Sequence, residues 1–388
     1  MQKVFLIITG DRYPNGDAGA IRTHSFAKIL QCTGYVPVVI GMGEMTDFKE
    51  RQYEGISYYS LRYSLDNFIL KVLGRLLYCH NAKRIIKQYP KAELSGIMYV
   101  SGGKKVFFWI KKFADQNRIP LYHDCVEWFS PSEFSNGEKN SMYRFTDQLN
   151  KEYIDQSFGV IAISSYLEEH FKKRKIKTIR VPVIMDVEHI QCKKNTNKEY
   201  VKIAYAGAMG GKDKINYFIK ALEQLSTKEL EKLRLYIIGS TLENYEKDFG
   251  KIPDYIKERS IIFTGRISRT EVLEHLQSTD FTILLRPEQE RYAKAGFPTK
   301  VVESLASGTP VICNYTSDLS LYLRNMKDSI EVESYSVEAC VKALKCALQT
   351  TQEEREVMQS NARKTAEDHF DWRLYSYQME HFWKADMN

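Results

Sequence analysis

Neither a secretion signal nor a membrane span is expected from the opening residues, since the first apolar stretch, Val4 to Ile8, is far too short for either. It carries no disulfide pattern: the seven cysteines, Cys32, Cys79, Cys125, Cys192, Cys313, Cys340 and Cys346, are odd in number and scattered, with no CxxC pair and no histidine at metal-ligand spacing. Both absences fit reduced thiols in a cytoplasmic protein. There is no Ser, Gln or Pro tract and no repeat of solenoid length, so the whole chain is expected to fold. No two aspartates are separated by a single residue, which removes the DxD metal clamp. HExxH, GxSxG and the P-loop GxxxxGK(S/T) are missing too, which counts against zinc proteases, α/β-hydrolases and P-loop enzymes. No GxGxxG follows the first strand candidate, which disfavours a dinucleotide-dependent oxidoreductase. Neither a metal nor a cofactor is expected.

What is present divides in two. At 388 residues a single core would usually split, so two domains are expected. In the first half the β-rich runs KVFLII, YVPVVIG, ISYYSL, GIMYVS, IPLYHDCV, FGVIAIS and TIRVPV alternate with helical patterns. AIRTHSFAKIL puts Ile21, Phe26, Ile29 and Leu30 along one helical side. The polar stretch Gln191 to Glu199 reads as a linker, and a second alternation follows it: VKIAYAGA, LRLYIIGS, SIIFTGRI, DFTILLRP, GTPVICN and SIEVES. Alternation of this kind predicts a parallel sheet covered by helices in each half. The expected fold is α/β: two Rossmann-like, doubly wound domains over 1–190 and 191–370. The aromatic-rich segment 371–388 follows as a terminal helix that docks elsewhere. Ile215, Phe218, Ile219, Leu222 and Leu225 make one helical stripe, and Ser268 with Glu271 makes a capping box before another helix.

The most informative segment is RPEQERYAKAGFPTKVVESLASGTPVICN, Arg286 to Asn314. A strand ends in a polar loop, Gly296, Phe297 and Pro298 form a turn, and a helix starts near Thr299 and Lys300. Free N–H groups and the positive end of the dipole make such a helix start a seat for a diphosphate. Glu303, about one turn inside, is placed to accept hydrogen bonds from vicinal hydroxyls such as those of a ribose; the alternative is a solvated or capping carboxylate. In YAGAMGGKDKINYFIKAL a strand runs into a glycine-rich turn containing Gly207, where Lys212 can neutralise charge on a departing diphosphate. The turn by itself is equally a tight βα connection.

The first half offers a similar loop in GDRYPNGDAGAIRTH, with Gly16, Asp17, Gly19 and Arg22 as candidate contacts. His123, Asp124 and Glu127 fall at or just past the end of a strand, where α/β sheets place ligands. Such a histidine is often only a structural hydrogen-bonding residue. The stretch Leu61 to Lys87 interleaves Phe68, Ile69, Val72, Leu73, Leu76 and Leu77 with Lys71, Arg75, Lys83 and Arg84. It either packs on its own domain or lies on an anionic membrane. The formal charge of +7 favours anionic partners without choosing among them.

The segment AGFPTKVVESLASGTPVI resembles the donor-site signature of the retaining GT-B glycosyltransferases of family 4, the group 1 family. Within that family the chain is most similar to the bacterial surface-polysaccharide branch. The likeness is strongest from Val201 to about Asp318 and weaker in the first half. Glu303 matches the second glutamate of the family pattern, implied to bind the donor ribose, and Ala295 stands where the first is expected. Ala208 stands at the family's phosphate-binding arginine, Lys212 fills the lysine role, and Arg266 or Arg286 at nearby strand ends can replace the lost charge. Gly296 and Phe297 would present backbone amides to the sugar.

The resemblance implies two domains facing each other across a cleft, with the terminal helix returned to the first domain. It implies transfer of a sugar from a nucleoside diphosphate sugar to a glycan or lipid-linked glycan, with retention. His123, Lys212 and Glu303 are then the catalytic candidates. The donor contacts are Gly16, Gly19, Gly207, Arg266, Arg286, Gly296, Phe297, Pro298, Thr299 and Lys300, and the acceptor contacts Asp17, Arg22, Asp124 and Glu127. The partners are the donor, the acceptor and an anionic membrane surface on the inner face of the cell membrane; nucleic acid is not expected. A nucleotide-sugar epimerase of the same fold is the alternative.

Overall fold

Strands form where β-branched and aromatic residues run together and helices form where the apolar period changes to one side in 3.6, and the computed structural model follows that division. It describes residues 3–14, 18–43, 48–62, 68–192, 199–207, 209 and 211–385. The chain folds as two compact units, 1–186 with 372–388 and 187–371. The break falls between Asp186 and Val187, slightly before the expected 190/191.

The first unit is built on a sheet of eight strands: β1 (Val4–Arg12), β2 (Val36–Gly43), β3 (Arg51–Tyr53), β4 (Ile56–Arg62), β5 (Leu94–Tyr99), β6 (Leu121–Cys125), β7 (Phe158–Ala162) and β8 (Lys177–Arg180). Their order across the sheet is β3-β4-β2-β1-β5-β6-β7-β8. All pairs are parallel except β3 with β4, a hairpin closed at Glu54 and Gly55, both at positive φ. The three-residue β3 was not anticipated; Arg51-Gln52-Tyr53 has no apolar alternation and pairs only at the sheet edge.

The terminal segment packs on this unit. Trp383 is fully buried with its ring near Phe5 and Tyr35, and its carbonyl accepts a hydrogen bond from Tyr122 Oη at 3.1 Å. The Gln352–His369 helix ends just before Phe370 and Asp371, and the chain turns helical again at Trp372, with Ser376–Lys384 as the last helix.

The second unit carries β9 (Val201–Ala206), β10 (Leu233–Ile238), β11 (Ile261–Gly265), β12 (Phe281–Leu284), β13 (Val311–Cys313) and β14 (Ser329–Glu331), all parallel, in the order β11-β10-β9-β12-β13-β14. The stripe Ile215, Phe218, Ile219, Leu222 and Leu225 is buried against this sheet. The capping box forms: Ser268 N donates to Glu271 Oε2 at 2.7 Å and Glu271 N donates to Ser268 Oγ at 3.3 Å, starting the Arg269–Gln277 helix.

From β9 the chain winds outward through β10 to β11, then returns to the other side of β9 as β12. That reversal leaves a crevice at the carboxyl ends of β9 and β12, where open α/β sheets bind ligands. The first sheet reverses likewise between β1 and β5, and there Gly10 N donates to Ser101 Oγ at 2.7 Å.

Candidate functional site

At the end of β9 the chain turns at Gly207, where φ is +152°, a conformation that side-chain-bearing residues rarely adopt. Gly239, at the end of β10, has φ of +104° and stands so near that a Cβ on it would lie 2.8 Å from the Gly207 carbonyl oxygen. The three strand ends are stitched together by Gly207 N to Ile238 O at 2.8 Å and Gly239 N to Gly265 O at 2.8 Å.

Into this crevice comes the Thr299–Ala306 helix. Pro298 precedes its first turn and no side chain caps it. Lys300 in that turn lays its side chain over Gly207, and its Nζ bonds Asp213 Oδ2 and, at 3.2 Å, Tyr205 Oη. On the other Asp213 oxygen, Arg286 Nε donates to Oδ1 at 2.8 Å. Tyr205 Oη donates to Oδ2 at 3.1 Å. Asp213 is thus buried between two cations and a phenol. Burial alone would raise its pKa, but Arg286 and Lys300 outweigh burial and hold it below the ordinary carboxylate range.

The backbone of Arg286 is fixed as well. Its N–H donates to Asn314 Oδ1 at 3.0 Å and its carbonyl accepts from Asn314 Nδ2 at 2.7 Å. Lys212 sits beside this cluster, half-buried, with Nζ 5.9 Å from the centre of the Tyr292 ring. Tyr292 Oη donates to the Lys212 carbonyl at 3.2 Å.

Glu303 stands one turn further along the helix, and its Oε1 accepts from Arg269 Nη1 at 2.7 Å. Gly296, Phe297 and Pro298 are buried; the Phe297 ring packs edge-on against Tyr322 and Phe370, each 5.7 Å away, so that only its backbone is left to face a ligand. Thr299 is half-buried at the helix start, and Arg266 is exposed just past β11. The structure therefore brings Gly207, Lys212, Arg286, Lys300 and Glu303 to the carboxyl ends of β9 and β12. Asp213, Tyr205, Asn314 and Arg269 were not among the sequence candidates, because their partners lie 8 to 95 positions away along the chain.

The candidates in the first unit are placed differently. His123 at the end of β6 is buried and its Nδ1 donates to the Tyr99 carbonyl at 2.9 Å, which fixes the tautomer. Burial is the leading cause of its lowered pKa, so the ring is neutral at physiological pH. Arg22 and Asp124 are not available as acceptor contacts: both are buried and bonded to each other, Nε to Oδ2 and Nη2 to Oδ1 each at 2.9 Å. Arg22 also donates to the carbonyls of Val181 and Pro182, so the pair ties the first helix to the chain leaving β8. A Cβ at Gly19 would meet the Asp11 carboxylate at 2.4 Å, so a side chain there would have to displace that carboxylate. Glu127 lies half-buried beyond β6, its carbonyl accepting from Asn150 Nδ2 at 3.2 Å. Gly16 and Asp17, like Ala208, lie outside the described residues.

Among the described residues no three His, Cys, Asp or Glu side chains gather closely enough to hold a metal ion. None of the described helices is long and apolar enough to cross a membrane.

Over the whole chain the fold is that of GT-B glycosyltransferases. Sucrose-phosphate synthase from Thermosynechococcus elongatus superimposes with a TM-score of 0.77 at 13% identity, covering 99% of each chain. Anabaena HepE, in a complex with UDP and glucose, gives 0.69 at 13% identity, covering 99% of this chain and 100% of HepE. WaaG, a glycosyltransferase involved in lipopolysaccharide biosynthesis, gives 0.67 at 13% identity, covering 97% and 98%. No curated protein matches the chain in sequence. Residues 186–365, nearly all of the second unit and every residue of the crevice just described, match the family Glycosyl transferases group 1.

Proposed function

We propose that the protein transfers a sugar from a nucleoside diphosphate sugar to a hydroxyl of a glycan or lipid-linked glycan, with retention at the anomeric carbon and without a metal, in polysaccharide or glycoconjugate assembly. The observation that carries the reading is the pairing of Arg286 and Lys300 with an uncapped helix start and Glu303, all at the reversal of the second sheet. Two cations and a helix start suit a diphosphate, and a carboxylate one turn on suits the pentose attached to it. HepE has been seen with UDP and glucose, and WaaG acts in lipopolysaccharide assembly; both support the choice of donor and pathway for a chain of their fold.

In the step itself the bond from the anomeric carbon to the diphosphate oxygen breaks and a bond from that carbon to the acceptor oxygen forms on the same face. The acceptor proton passes to the departing phosphate oxygen. Lys212, Arg286, Lys300 and the Thr299 helix start stabilise the charge that gathers there. Glu303 holds the ribose, and His123, neutral and fixed in one tautomer, is the candidate for contact with the sugar.

The test is release of nucleoside diphosphate from donor sugars in the presence of glycan acceptors, with EDTA present. Normal turnover by both Lys212→Ala and Glu303→Ala would defeat the assignment, and a changed sugar from donor alone would favour the epimerase.

A surface of the first unit supports the membrane partner. The helices Phe68–Ile86 and Lys104–Asn117 pack together, and on them Lys83, Arg84, Lys104, Lys105 and Lys112 are exposed or half-buried. Lys83 Nζ lies 5.5 Å over the Trp109 ring, Lys104 Nζ lies 5.9 Å over the Phe108 ring, and on the same two helices Phe108 and Leu77 are 39% and 55% exposed. Cations interleaved with rings suit the headgroup layer of an anionic bilayer. Sedimentation with vesicles containing phosphatidylserine should exceed that with neutral vesicles and fall when Lys104 and Lys112 are both changed to Glu; indifference to lipid charge refutes it.

A further inference from the structure

Asp213 is the most heavily engaged side chain of the crevice, and no motif in the sequence points to it. It is 3% exposed, and each of its oxygens is bonded to a cation: Oδ1 to Arg286 Nε at 2.8 Å, Oδ2 to Lys300 Nζ, with Tyr205 Oη on Oδ2 at 3.1 Å. The choice of nitrogen on Arg286 matters. A guanidinium carries five N–H groups, and Asp213 takes the one on Nε. Among the described residues no hydrogen bond is made by Nη1 or Nη2, so the end that forms a bidentate grip on phosphate is left open. Lys300 is in a similar state: two of its three N–H directions go to Asp213 and Tyr205, and a third of its side chain is exposed.

The ion pair does not use the fork of the arginine: Asp213 and the Arg286 side chain are 3% and 11% exposed, while Lys300 keeps a third of its side chain exposed. Asn314 pins the backbone of Arg286 on both its N–H and its carbonyl, which removes the remaining freedom of that residue. The trio keeps a net charge of one positive unit. Two neighbouring cations without the carboxylate would repel each other and splay apart.

We propose that Asp213 is a positioning residue that sets Arg286 and Lys300 as a preformed two-pronged clamp for the diphosphate of the donor, acting through those cations without touching the ligand. This deepens the proposed function and rests on it. The clamp stands in for the arginine that Ala208 lacks: the cation comes from the end of β12 and from the helix, and the turn after β9 supplies the anion that aims it. Preorganisation of this kind avoids rearrangement as charge develops on the leaving group.

The test is calorimetric titration of the full chain with UDP, GDP and ADP, with uridine, and with inorganic pyrophosphate. The Asp213→Asn variant, nearly isosteric, should bind pyrophosphate and the preferred nucleoside diphosphate at least about tenfold more weakly, because misplaced charged groups lose their hydrogen bonds. Uridine binding should be unchanged, a split that general loosening of the unit would not produce. Asp213→Asn should add no further loss toward pyrophosphate in a background where Arg286→Ala and Lys300→Ala are both already present. If Asp213→Asn fails to fold, Arg286→Lys decides: it keeps the charge but cannot offer one nitrogen to Asp213 and a fork to the ligand, so it should lose pyrophosphate affinity similarly. Wild-type affinity in the folded variants overturns this inference and leaves the donor site standing. Failure of the wild type to bind any nucleoside diphosphate or pyrophosphate overturns the donor site and this inference with it.

Discussion

The side chain of Lys300 lies across Gly207, so close that a Cβ added to the glycine would come within 2.3 Å of Lys300 Cε. One residue belongs to the turn after β9 and the other to the helix after Pro298, and only the absence of a side chain at 207 lets the cation cross the turn to Asp213.

Gly207→Ala should therefore fail twice. At φ of +152° alanine is strained, which costs at least about 1 kcal/mol, and its methyl pushes Lys300 away from Asp213. Urea unfolding should show the stability loss and titration with nucleoside diphosphate should show weaker binding. Unchanged affinity would mean that Lys300 takes no part in holding the donor.

The Arg269–Glu303 pair has a half-exposed arginine, so it contributes on the order of 0.2–1 kcal/mol to stability. Arg269→Ala should leave the melting temperature nearly unchanged, whereas Glu303→Gln should weaken nucleoside binding without a matching loss of pyrophosphate binding. Equal losses of both ligands in Glu303→Gln would remove the ribose assignment.

Phe297 is read as core. Phe297→Ala empties a space between Tyr322 and Phe370 and should cost about 3–5 kcal/mol, while Phe297→Leu should cost much less. Denaturant midpoints compare them, and a stable but inactive alanine variant would show instead that the ring faces a ligand.

Arg22→Ala leaves the Asp124 carboxylate buried without its partner, an arrangement that costs about 3–5 kcal/mol. Expression and thermal unfolding should collapse together. A folded Arg22→Ala protein with only a raised acceptor KM would restore the acceptor role expected from sequence.

Acid should destabilise the first unit in the range where histidines titrate. Burial is the leading cause of the lowered pKa values of His24, His123 and His170. Each contributes stability that is present above the unfolded value of about 6.5 and is lost as pH falls through the lower folded value, because only the unfolded chain takes up the proton there. The melting temperature should drop between roughly pH 7 and pH 5, and His123→Gln should flatten the drop. A melting temperature independent of pH over that interval contradicts the neutral, buried state of these rings.

Of the two sheets, all the anticipated strands are present, because each is a run of β-formers bounded by turn residues, and the second sheet contains no other described strand. The short β3 lacked any such run. In the candidate site, Gly207, Lys212, Lys300 and Glu303 were legible because each sits at the end of a strand or the start of a helix whose pattern could be read. Asp213 was adjacent to one of them and still passed unnoticed: its meaning lies in Arg286, 73 positions further on, and Lys300, 87 further on. The same blindness to distant partners made Arg22 and Asp124, 102 positions apart, look like ligand contacts.

The order of residues alone determined that there would be two successive parallel α/β units, where their strands and the helix at Thr299 would begin, and that a glycine turn and a carboxylate would flank that helix. These are local matters of period, capping and backbone freedom. Which charges stand face to face was decided by the winding of the sheets, which sets β9 beside β12 and so brings Asp213 between Arg286 and Lys300. Burial then did the rest: a carboxylate removed from water must find cations, and the chain's path placed those two within reach.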